Sequence, residues 1–242
     1  MTRSILITGS SRGLGRAIAL RLAMGDWRLT LHGRTASEAL LQTVAEVSAI
    51  SRHAVDYLCF DVGNETEARQ CLESHTESDG GFYGVVLNAG ISSDAAFPAL
   101  SSGDWHNVIN TSLNGFYHVY QQLTIPMVSK KQDCRIITMA SVSGLIGNRG
   151  QVNYSAAKGG MIAASKALAL ELAKRRITVN CIAPGLIETD MVSDEVMAHV
   201  LPQIPMQRMG NPDEVAALVA FLCSDDAAYI TRQVISINGG LA

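Results

Sequence analysis

Short apolar runs alternate along the chain with longer segments in which apolar residues recur at helical spacing. Such runs are typical of strands that are buried on both faces of a sheet. They predict seven strands, at Ser4–Thr8, Arg28–His32, Ala54–Phe60, Gly84–Asn88, Arg135–Ala140, Ile177–Ile182 and Gln233–Ile237. The segments between them predict six helices, near 14–24, 36–50, 64–77, 104–129, 152–175 and 213–223. This alternation favours an α/β fold with a doubly wound parallel sheet and helices on both faces.

The alternation continues along the whole chain, so we expect a single domain over residues 1–242. One long stretch, at about 184–211, is irregular and rich in Pro and Met, and it follows the sixth predicted strand. Loops of this length within a compact domain often cover an active site, and we expect a substrate lid here. The order Asn211-Pro212-Asp213-Glu214 predicts the start of the last helix, with an N-cap residue, a proline and two acids.

Composition and charge exclude several classes of function. Of the 242 residues, 48% are hydrophobic and the formal net charge is −3, which argues against nucleic acid or an anionic membrane as a partner. The five cysteines and six histidines are scattered, which argues against a disulfide framework and a metal site. The apolar core Ile5–Ile7 is too short for a signal peptide or a membrane span, so we expect a cytoplasmic protein.

A glycine-rich turn follows the first predicted strand, with the sequence Thr8-Gly9-Ser10-Ser11-Arg12-Gly13-Leu14-Gly15. Gly9 permits a sharp turn, Gly13 lets the backbone approach a pyrophosphate, and Gly15 lets the helix pack closely on the sheet. The helix that follows offers free N–H groups to phosphate. The turn therefore predicts dinucleotide binding, although three glycines can also form an ordinary tight turn. The Lys-Ser/Thr pair of a P-loop is absent.

The second predicted strand is followed by Arg34 and carries no acidic residue at its end. Sites for NAD usually place an acid there, whereas an arginine accommodates the 2′-phosphate of NADP. Arg12 in the glycine turn provides a second guanidinium for the same phosphate. We therefore expect NADP(H) rather than NAD(H). The alternative is that both arginines are solvated surface residues.

Tyr154 and Lys158 are four residues apart at the start of a predicted helix, so both side chains lie on one face. An ammonium within about 4–6 Å lowers the pKa of a phenol by roughly 1–3 units from its usual value near 10. A phenol tuned in this way is a usable general acid. Ser141 follows the fifth predicted strand, where its hydroxyl can hold a substrate oxygen. These three residues predict reduction of a carbonyl or oxidation of the matching alcohol.

Taken together, these motifs resemble those of the short-chain dehydrogenase/reductase family over essentially the whole chain. The resemblance implies a Rossmann fold, hydride transfer between NAD(P) and a carbonyl carbon, and Ser141, Tyr154 and Lys158 as catalytic residues. Lys158 is also expected to bond the nicotinamide ribose. The implied cofactor-binding residues are Gly9, Ser11, Arg12, Gly13, Leu14, Gly15, Arg34, Asp61, Val62, Asn88, Ala89, Gly90, Tyr154, Lys158, Pro184, Gly185, Ile187 and Thr189.

Within that family, the chain most resembles the 3-oxoacyl-acyl-carrier-protein reductases. The stretches that carry this resemblance are Thr8–Gly15, Gly144–Lys158, Ile177–Met191 and Asp225–Gly240. It implies NADPH-dependent reduction of a 3-oxoacyl thioester in fatty acid or polyketide-like and polyene-like biosynthesis, by a homotetramer. Two alternatives stay open: a family member acting on a free alcohol, sugar or aromatic ketone, and a non-catalytic NADP-binding member.

One position departs from the family pattern and concerns the proton relay. The resemblance places Ser112 where the family usually has an asparagine that supports a water near the active-site lysine.

An acidic acyl carrier protein requires a basic landing area near the cleft. Five cations at the ends of two predicted helices are candidates for that area: Lys130, Lys131, Lys174, Arg175 and Arg176. Cations are also expected at helix C-termini because of the helix dipole alone.

Overall fold

The computed structural model describes residues 3–189 and 200–242, and the strands within these ranges form one parallel sheet. They are β1 (Arg3–Ile7), β2 (Trp27–Gly33), β3 (Val55–Cys59), β4 (Gly84–Leu87), β5 (Cys134–Met139), β6 (Ile177–Pro184) and β7 (Val234–Ile237). Their order across the sheet is β3-β2-β1-β4-β5-β6-β7. The predicted doubly wound parallel sheet is therefore confirmed, and the ends of all seven predicted strands lie within two residues of the observed ends.

The helices of the described ranges flank this sheet. They are α1 (Gly13–Ala23), α2 (Glu38–Ile50), α3 (Glu65–Asp79), α4 (Ser102–Ile109), α5 (Gly115–Ser129), α6 (Ser143–Ile146), α7 (Val152–Leu172) and α8 (Pro212–Cys223). None of them is long and apolar enough to cross a membrane. The start of α8 is as predicted, because Asn211 and Glu214 form a reciprocal capping box.

The prediction of one continuous helix over 104–129 is wrong. A π-helical turn over Asn110–Asn114 separates α4 from α5. Within the turn, the side-chain amide of Asn114 donates to that of Asn110 at 2.6 Å, and Asn110 also donates to the carbonyl of Gly63 at 3.2 Å. Polar side chains that bond locally and across to a loop compete with regular helix geometry. The same turn contains Ser112.

The core has one apolar layer on each face of the sheet. Ile5 and Ile7 point into a layer built with α1 and α8, and Leu6 points into the opposite layer, built with α5 and α7. All three are fully buried, because alternate residues of a strand point to opposite faces and helices cover both. This explains why the strands appear in the sequence as continuous apolar runs.

The order of the strands determines where a ligand can bind. The chain leaves β1 toward β2 on one side, whereas β4 pairs with β1 on the other, with Ile5 opposite both Leu29 and Gly84. Such a reversal opens a crevice at the carboxyl ends of the strands, and ligands bind there in open α/β sheets. The turn after β1 and the turn after β4 both lie at this crevice.

Candidate active site

The glycine turn after β1 is held by the turn after β4. The hydroxyl of Thr8 accepts hydrogen bonds from the backbone N–H groups of Asn88 and Ala89 at 2.9 and 3.0 Å. The side-chain amide of Asn88 donates in return to the carbonyls of Thr8 and Gly9 at 3.1 and 3.0 Å. Two predicted cofactor segments are therefore joined by four hydrogen bonds across the switch point.

The glycines of this turn leave room where phosphates are expected. Gly9 and Gly13 have positive φ angles of 64° and 53°. A Cβ at Gly15 would lie 2.1 Å from the carbonyl oxygen of Gly9, so this position admits only glycine. A Cβ at Gly13 would contact only Thr189, at 3.9 Å, so the space in front of this backbone is open. An open backbone cradle at the start of α1 fits the pyrophosphate of a dinucleotide.

The predicted adenosine end forms an open pocket of about 650 Å³. Its lining includes Arg34, Asp61, Ile91 and Thr111. The carboxylate of Asp61 accepts from the N–H of Gly63 at 2.8 Å, which fixes the loop after β3. Among the other predicted residues here, Val62 is buried, and the side chains of Arg12 and Arg34 are exposed. Exposed guanidiniums are free to turn toward a phosphate.

The three predicted catalytic residues come together at the carboxyl edge of β5. The hydroxyl of Tyr154 lies near that of Ser141, which lowers the pKa of the phenol. The ammonium nitrogen of Lys158 lies 5.5 Å from the centre of the Tyr154 ring and donates to the carbonyl of Met139 at 2.8 Å. Ser141 also accepts from the N–H of Ser143 at 3.2 Å, which leaves its own proton available for another acceptor. The serine and the phenol thus present two donors to one oxygen.

The expected pKa of Tyr154 is corrected by the structure. Burial raises the pKa of the Tyr154 phenol, the nearby Ser141 hydroxyl opposes this, and the charge of Asp94 raises it further. Burial also lowers the pKa of Lys158 to about 8. The Lys158 ammonium donates to the Met139 carbonyl, and burial outweighs the lowering of the phenol pKa that the spacing predicted. Tyr154 is instead held as the neutral acid, which is the form that donates a proton to a carbonyl oxygen.

Sequence reasoning missed a polar network around the entrance to this site. Gln151 accepts from the hydroxyl of Ser143 at 2.8 Å and donates to Asp94 at 2.7 Å. Fully buried Asn153 donates to the carbonyl of Ser93 at 3.0 Å. These bonds tie the loop after β4 to the start of α7 and so position Tyr154. Single polar residues next to Tyr154 carry no periodic signal, so only the three-dimensional contacts identify them.

Ser112, on the π-helical turn between α4 and α5, lies close to Lys158. Its hydroxyl is buried and has no hydrogen-bond partner among the residues that the structure describes. A Cβ at Gly90 would lie 3.4 Å from the Lys158 ammonium nitrogen and 3.6 Å from the Ser112 hydroxyl. Ser112 therefore stands next to the lysine, at the position where the family resemblance places an asparagine. A buried hydroxyl in this state is a place for an ordered water.

The segment after β6 approaches the cofactor turn from the other side. Gly185 packs against Asn238, where a Cβ would lie 2.6 Å from that side chain, so β6 and β7 stay close. Ile187 is buried and bridges to Gly210, and Thr189 faces Gly13. Pro184 ends β6. Much of the expected lid, at 190–199, lies outside the described residues.

The topology places the predicted basic landing area away from the cleft of the same protomer. The segment 130–131 lies between α5 and β5, and the segment 174–176 lies between α7 and β6. All five cations therefore lie beside the amino ends of the strands, whereas Ser141 lies beyond the carboxyl end of β5. The six residues of β5 put roughly 20 Å between the two edges. Arg176 is also engaged with the Lys131 carbonyl and with Asp133.

Comparison with known proteins gives full-length matches. Residues 9–242 match a family model described as enoyl-(acyl carrier protein) reductase. A 3-oxoacyl-[acyl-carrier-protein] reductase of Aggregatibacter actinomycetemcomitans is 53% identical over 100% of both chains. One of Aquifex aeolicus is 39% identical over 98% of this chain and 96% of its own. Nodulation protein G of a Rhizobium species is 42% identical over 99% and 97%. These similarities extend over nearly all of the chain, including the segments that form the site.

Proposed function

Because the chain belongs to the short-chain dehydrogenase/reductase family, we propose that it reduces a 3-oxoacyl thioester to the 3-hydroxyacyl thioester with NADPH. The observation that carries this proposal is the placement of the Tyr154 hydroxyl near Ser141 at the crevice, with the Lys158 ammonium 5.5 Å from the centre of the Tyr154 ring. The similar proteins of Aggregatibacter and Aquifex bear the name of that activity. We further propose that residues 1–242 act as one domain, with 184–211 closing over the substrate.

In this mechanism the chain provides the acid and the orientation. A bound nicotinamide cofactor supplies the hydride that reduces the carbonyl carbon. Ser141 and Tyr154 both donate hydrogen bonds to the carbonyl oxygen, and Tyr154 transfers its proton to that oxygen as the alcohol forms. Buried Lys158 donates toward the cofactor ribose and supports the return of a proton to Tyr154. Ser112, behind Lys158, is suited to hold a water on that route.

The test compares three substrates with NADPH in an absorbance assay. We expect turnover with a short 3-oxoacyl thioester, and little with a 2-enoyl thioester of the same length or with a free aromatic ketone. Two donors that converge on one oxygen are suited to a carbonyl that becomes an alcohol. The description of the matched family model makes enoyl reduction the second candidate. Faster turnover of the enoyl thioester would favour that activity, and turnover of the free ketone alone would remove the thioester from the proposal.

Arg34 is the residue that we propose to select NADPH over NADH. It lines the pocket next to Asp61, and the end of β2 carries no carboxylate that would repel a 2′-phosphate. Replacing Arg34 by Leu is expected to lower kcat/KM for NADPH by roughly 10- to 100-fold, because a charge-assisted hydrogen bond is lost. The value for NADH should stay within about threefold. Arg12→Leu should produce a smaller change in the same direction.

The selectivity is measured as the ratio of kcat/KM for the two cofactors, with a fixed thioester. Arg69→Leu is a matched control, because Arg69 is also exposed but lies on α3. An equal loss for NADPH and NADH in the Arg34 variant would mean that Arg34 contributes to the fold or to the adenine pocket and does not read the phosphate.

We propose that the chain forms a homotetramer through α5 and α7. Tyr117 and Ile125 on α5 and Leu170 on α7 are large apolar side chains, each more than half exposed. Exposed apolar faces of this kind favour association. A two-fold axis perpendicular to these helices makes paired helices antiparallel. The cations at the helix ends of one protomer then lie beside the cleft of its partner, where they can receive an acidic acyl carrier protein.

Charge reversal tests this arrangement. Replacing Lys131 and Arg175 together by Glu is expected to raise KM for a carrier-bound 3-oxoacyl substrate by about tenfold or more, because the steering charge changes sign. KM for an uncharged N-acetylcysteamine thioester should stay unchanged. Arg69→Glu, on exposed α3, controls for the change in net charge. If KM for the carrier substrate does not respond, the carrier docks elsewhere.

A further inference from the structure

His32 joins the three strand ends on the adenosine side of the site. It is the sixth residue of β2 and is only 2% exposed. Its backbone N–H donates to the Ser10 hydroxyl at 2.8 Å, and its carbonyl accepts from the Ser10 N–H at 2.9 Å. Its ring nitrogens Nδ1 and Nε2 lie 3.1 Å from the Gly9 nitrogen and 2.9 Å from the Phe60 oxygen. One residue thus contacts the turn after β1 and the end of β3.

The two ring contacts fix the chemical form of the imidazole. The Gly9 N–H can only donate, so Nδ1 must carry a lone pair. The Phe60 carbonyl can only accept, so Nε2 must carry the proton. Only the neutral tautomer protonated at Nε2 satisfies both partners. The ring also packs against the Phe60 ring, with the centroids 4.2 Å apart.

The two partners of the His32 ring belong to the predicted cofactor site: Gly9 is a predicted cofactor contact, and Phe60 precedes two more. Gly9 has a positive φ angle, and its nitrogen begins the turn that faces the pyrophosphate. Phe60 is followed directly by Asp61 and Val62, at the adenosine pocket. The distance between these two segments is therefore set by one rigid ring placed between them. Within the described residues, the other side-chain hydrogen bonds between the glycine turn and β2 are those of the Ser10 hydroxyl.

We propose that His32 is a positioning residue for the dinucleotide, which fixes the glycine turn relative to the adenosine pocket by accepting from Gly9 and donating to Phe60. The inference rests on the proposed cofactor site and assigns no contact between His32 and the cofactor. A ring that accepts on one side and donates on the other keeps both segments in the geometry that NADPH requires. The residue acts on binding of the cofactor and leaves the acid–base step to Tyr154.

The surroundings keep this imidazole neutral. Burial lowers the pKa of His32 to about 4, although the Phe60 carbonyl and the carboxylate of Asp61 favour the protonated form. An imidazolium would place a second donor against the Gly9 N–H and break that contact. At neutral pH His32 therefore remains the acceptor that the turn needs.

The experiment replaces the ring by side chains that keep or lose its two roles. Leu at position 32 removes both hydrogen bonds, whereas Gln offers a carbonyl acceptor and an amide donor at a similar spacing. For His32→Leu we expect Kd for NADPH, from a fluorescence titration, to rise by about tenfold. kcat at saturating NADPH should stay within about twofold, and His32→Gln should recover most of the affinity. Thr30→Val, also fully buried on the same face of β2, controls for a disturbed core.

A second measurement follows the protonation of His32 through the pH dependence of protein stability. The unfolded chain protonates this histidine near pH 6.5 and the folded protein only near pH 4, so the stability of the wild type falls as pH decreases through this window. The slope should be smaller in His32→Gln. His75, whose pKa is also lowered by burial, contributes equally to both proteins and cancels in the difference.

The outcomes separate this inference from the proposed function. If the wild type binds no NADPH, the cofactor site itself is wrong. If the wild type binds NADPH and His32→Leu binds equally well, or if Gln fails to restore what Leu loses, His32 does not position the dinucleotide. A fall in kcat at saturating NADPH that matches Thr30→Val would show a general effect on the fold.

Discussion

Replacing Tyr154 by Phe is expected to lower kcat for the 3-oxoacyl thioester by roughly 10²- to 10⁴-fold, the usual contribution of a positioned general acid. The ring stays in place against the Lys158 ammonium, and only the hydroxyl near Ser141 is lost. Because burial raises the pKa of this phenol, it stays protonated at neutral pH and is available as an acid. No neighbouring hydroxyl can replace it, since Ser141 alone has a pKa far too high for proton transfer at neutral pH.

The measurement is single-turnover absorbance at saturating NADPH, together with Kd for NADPH from fluorescence. Kd should stay within about threefold, because the removed oxygen faces the substrate. Tyr120→Phe is a matched control, since it removes another buried hydroxyl, which joins α5 to β5 by a bond to the carbonyl of Ile137 at 3.0 Å. That variant should lose some stability and keep kcat. Turnover of the Tyr154 variant at a tenth of the wild-type rate or more would assign the acid to another group.

The sheet and the position of the site were predictable because both depend on simple periodic features. Apolar runs such as Ile5–Ile7 are buried on both faces, and a parallel sheet requires that. Residues that follow parallel strands then lie at the same edge of the sheet, as the proposed site residues Ser141 and Asn88 do after β5 and β4. Glycines with steric roles, such as Gly15, can also be recognised in the sequence, because glycine is the residue type without a Cβ.

What the sequence did not predict depends on competition between contacts. The π turn at Asn110–Asn114 arises from side-chain hydrogen bonds to a distant loop, which helical periodicity does not encode. The pKa of Tyr154 was predicted to fall because helical spacing places an ammonium nearby. Burial dominates instead, and the lysine donates to the carbonyl of Met139. The role of His32 was not predicted, because its ring is hydrogen bonded to Gly9 and Phe60, which follow two other strands.

The cations predicted to receive the carrier protein show a different limit of prediction from sequence. Lys131 and Arg175 were correctly expected at helix ends, and the helix dipole alone is enough to explain them. Helices in strand–helix–strand units run antiparallel to the strands, so their C-terminal ends lie at the edge away from the active site. Relating those charges to a cleft requires a second protomer. The sequence of one chain carries no information on the distance between a helix end and the cleft of a second protomer.

The second large effect is expected at Gly15. A Cβ there would lie 2.1 Å from the Gly9 carbonyl oxygen and 2.6 Å from the Asn88 amide nitrogen. Both atoms belong to the hydrogen bonds that join the two halves of the crevice, and the position is buried. Gly15→Ala must therefore push the turn away from β4. We expect about 3 kcal/mol less stability toward urea, the upper range for an overpacked core, and Kd for NADPH raised by at least roughly 100-fold.

The control for this prediction is Gly80→Ala. Gly80 has a positive φ angle of 79°, but a Cβ there would meet nothing within 4 Å, so the variant tests backbone strain without a clash. It should cost about 1 kcal/mol and leave NADPH binding unchanged. Stability is measured by urea denaturation and binding by fluorescence. Wild-type affinity in Gly15→Ala would mean that the turn can move without disturbing the dinucleotide, and the close approach of Gly15 to Gly9 would then serve packing alone.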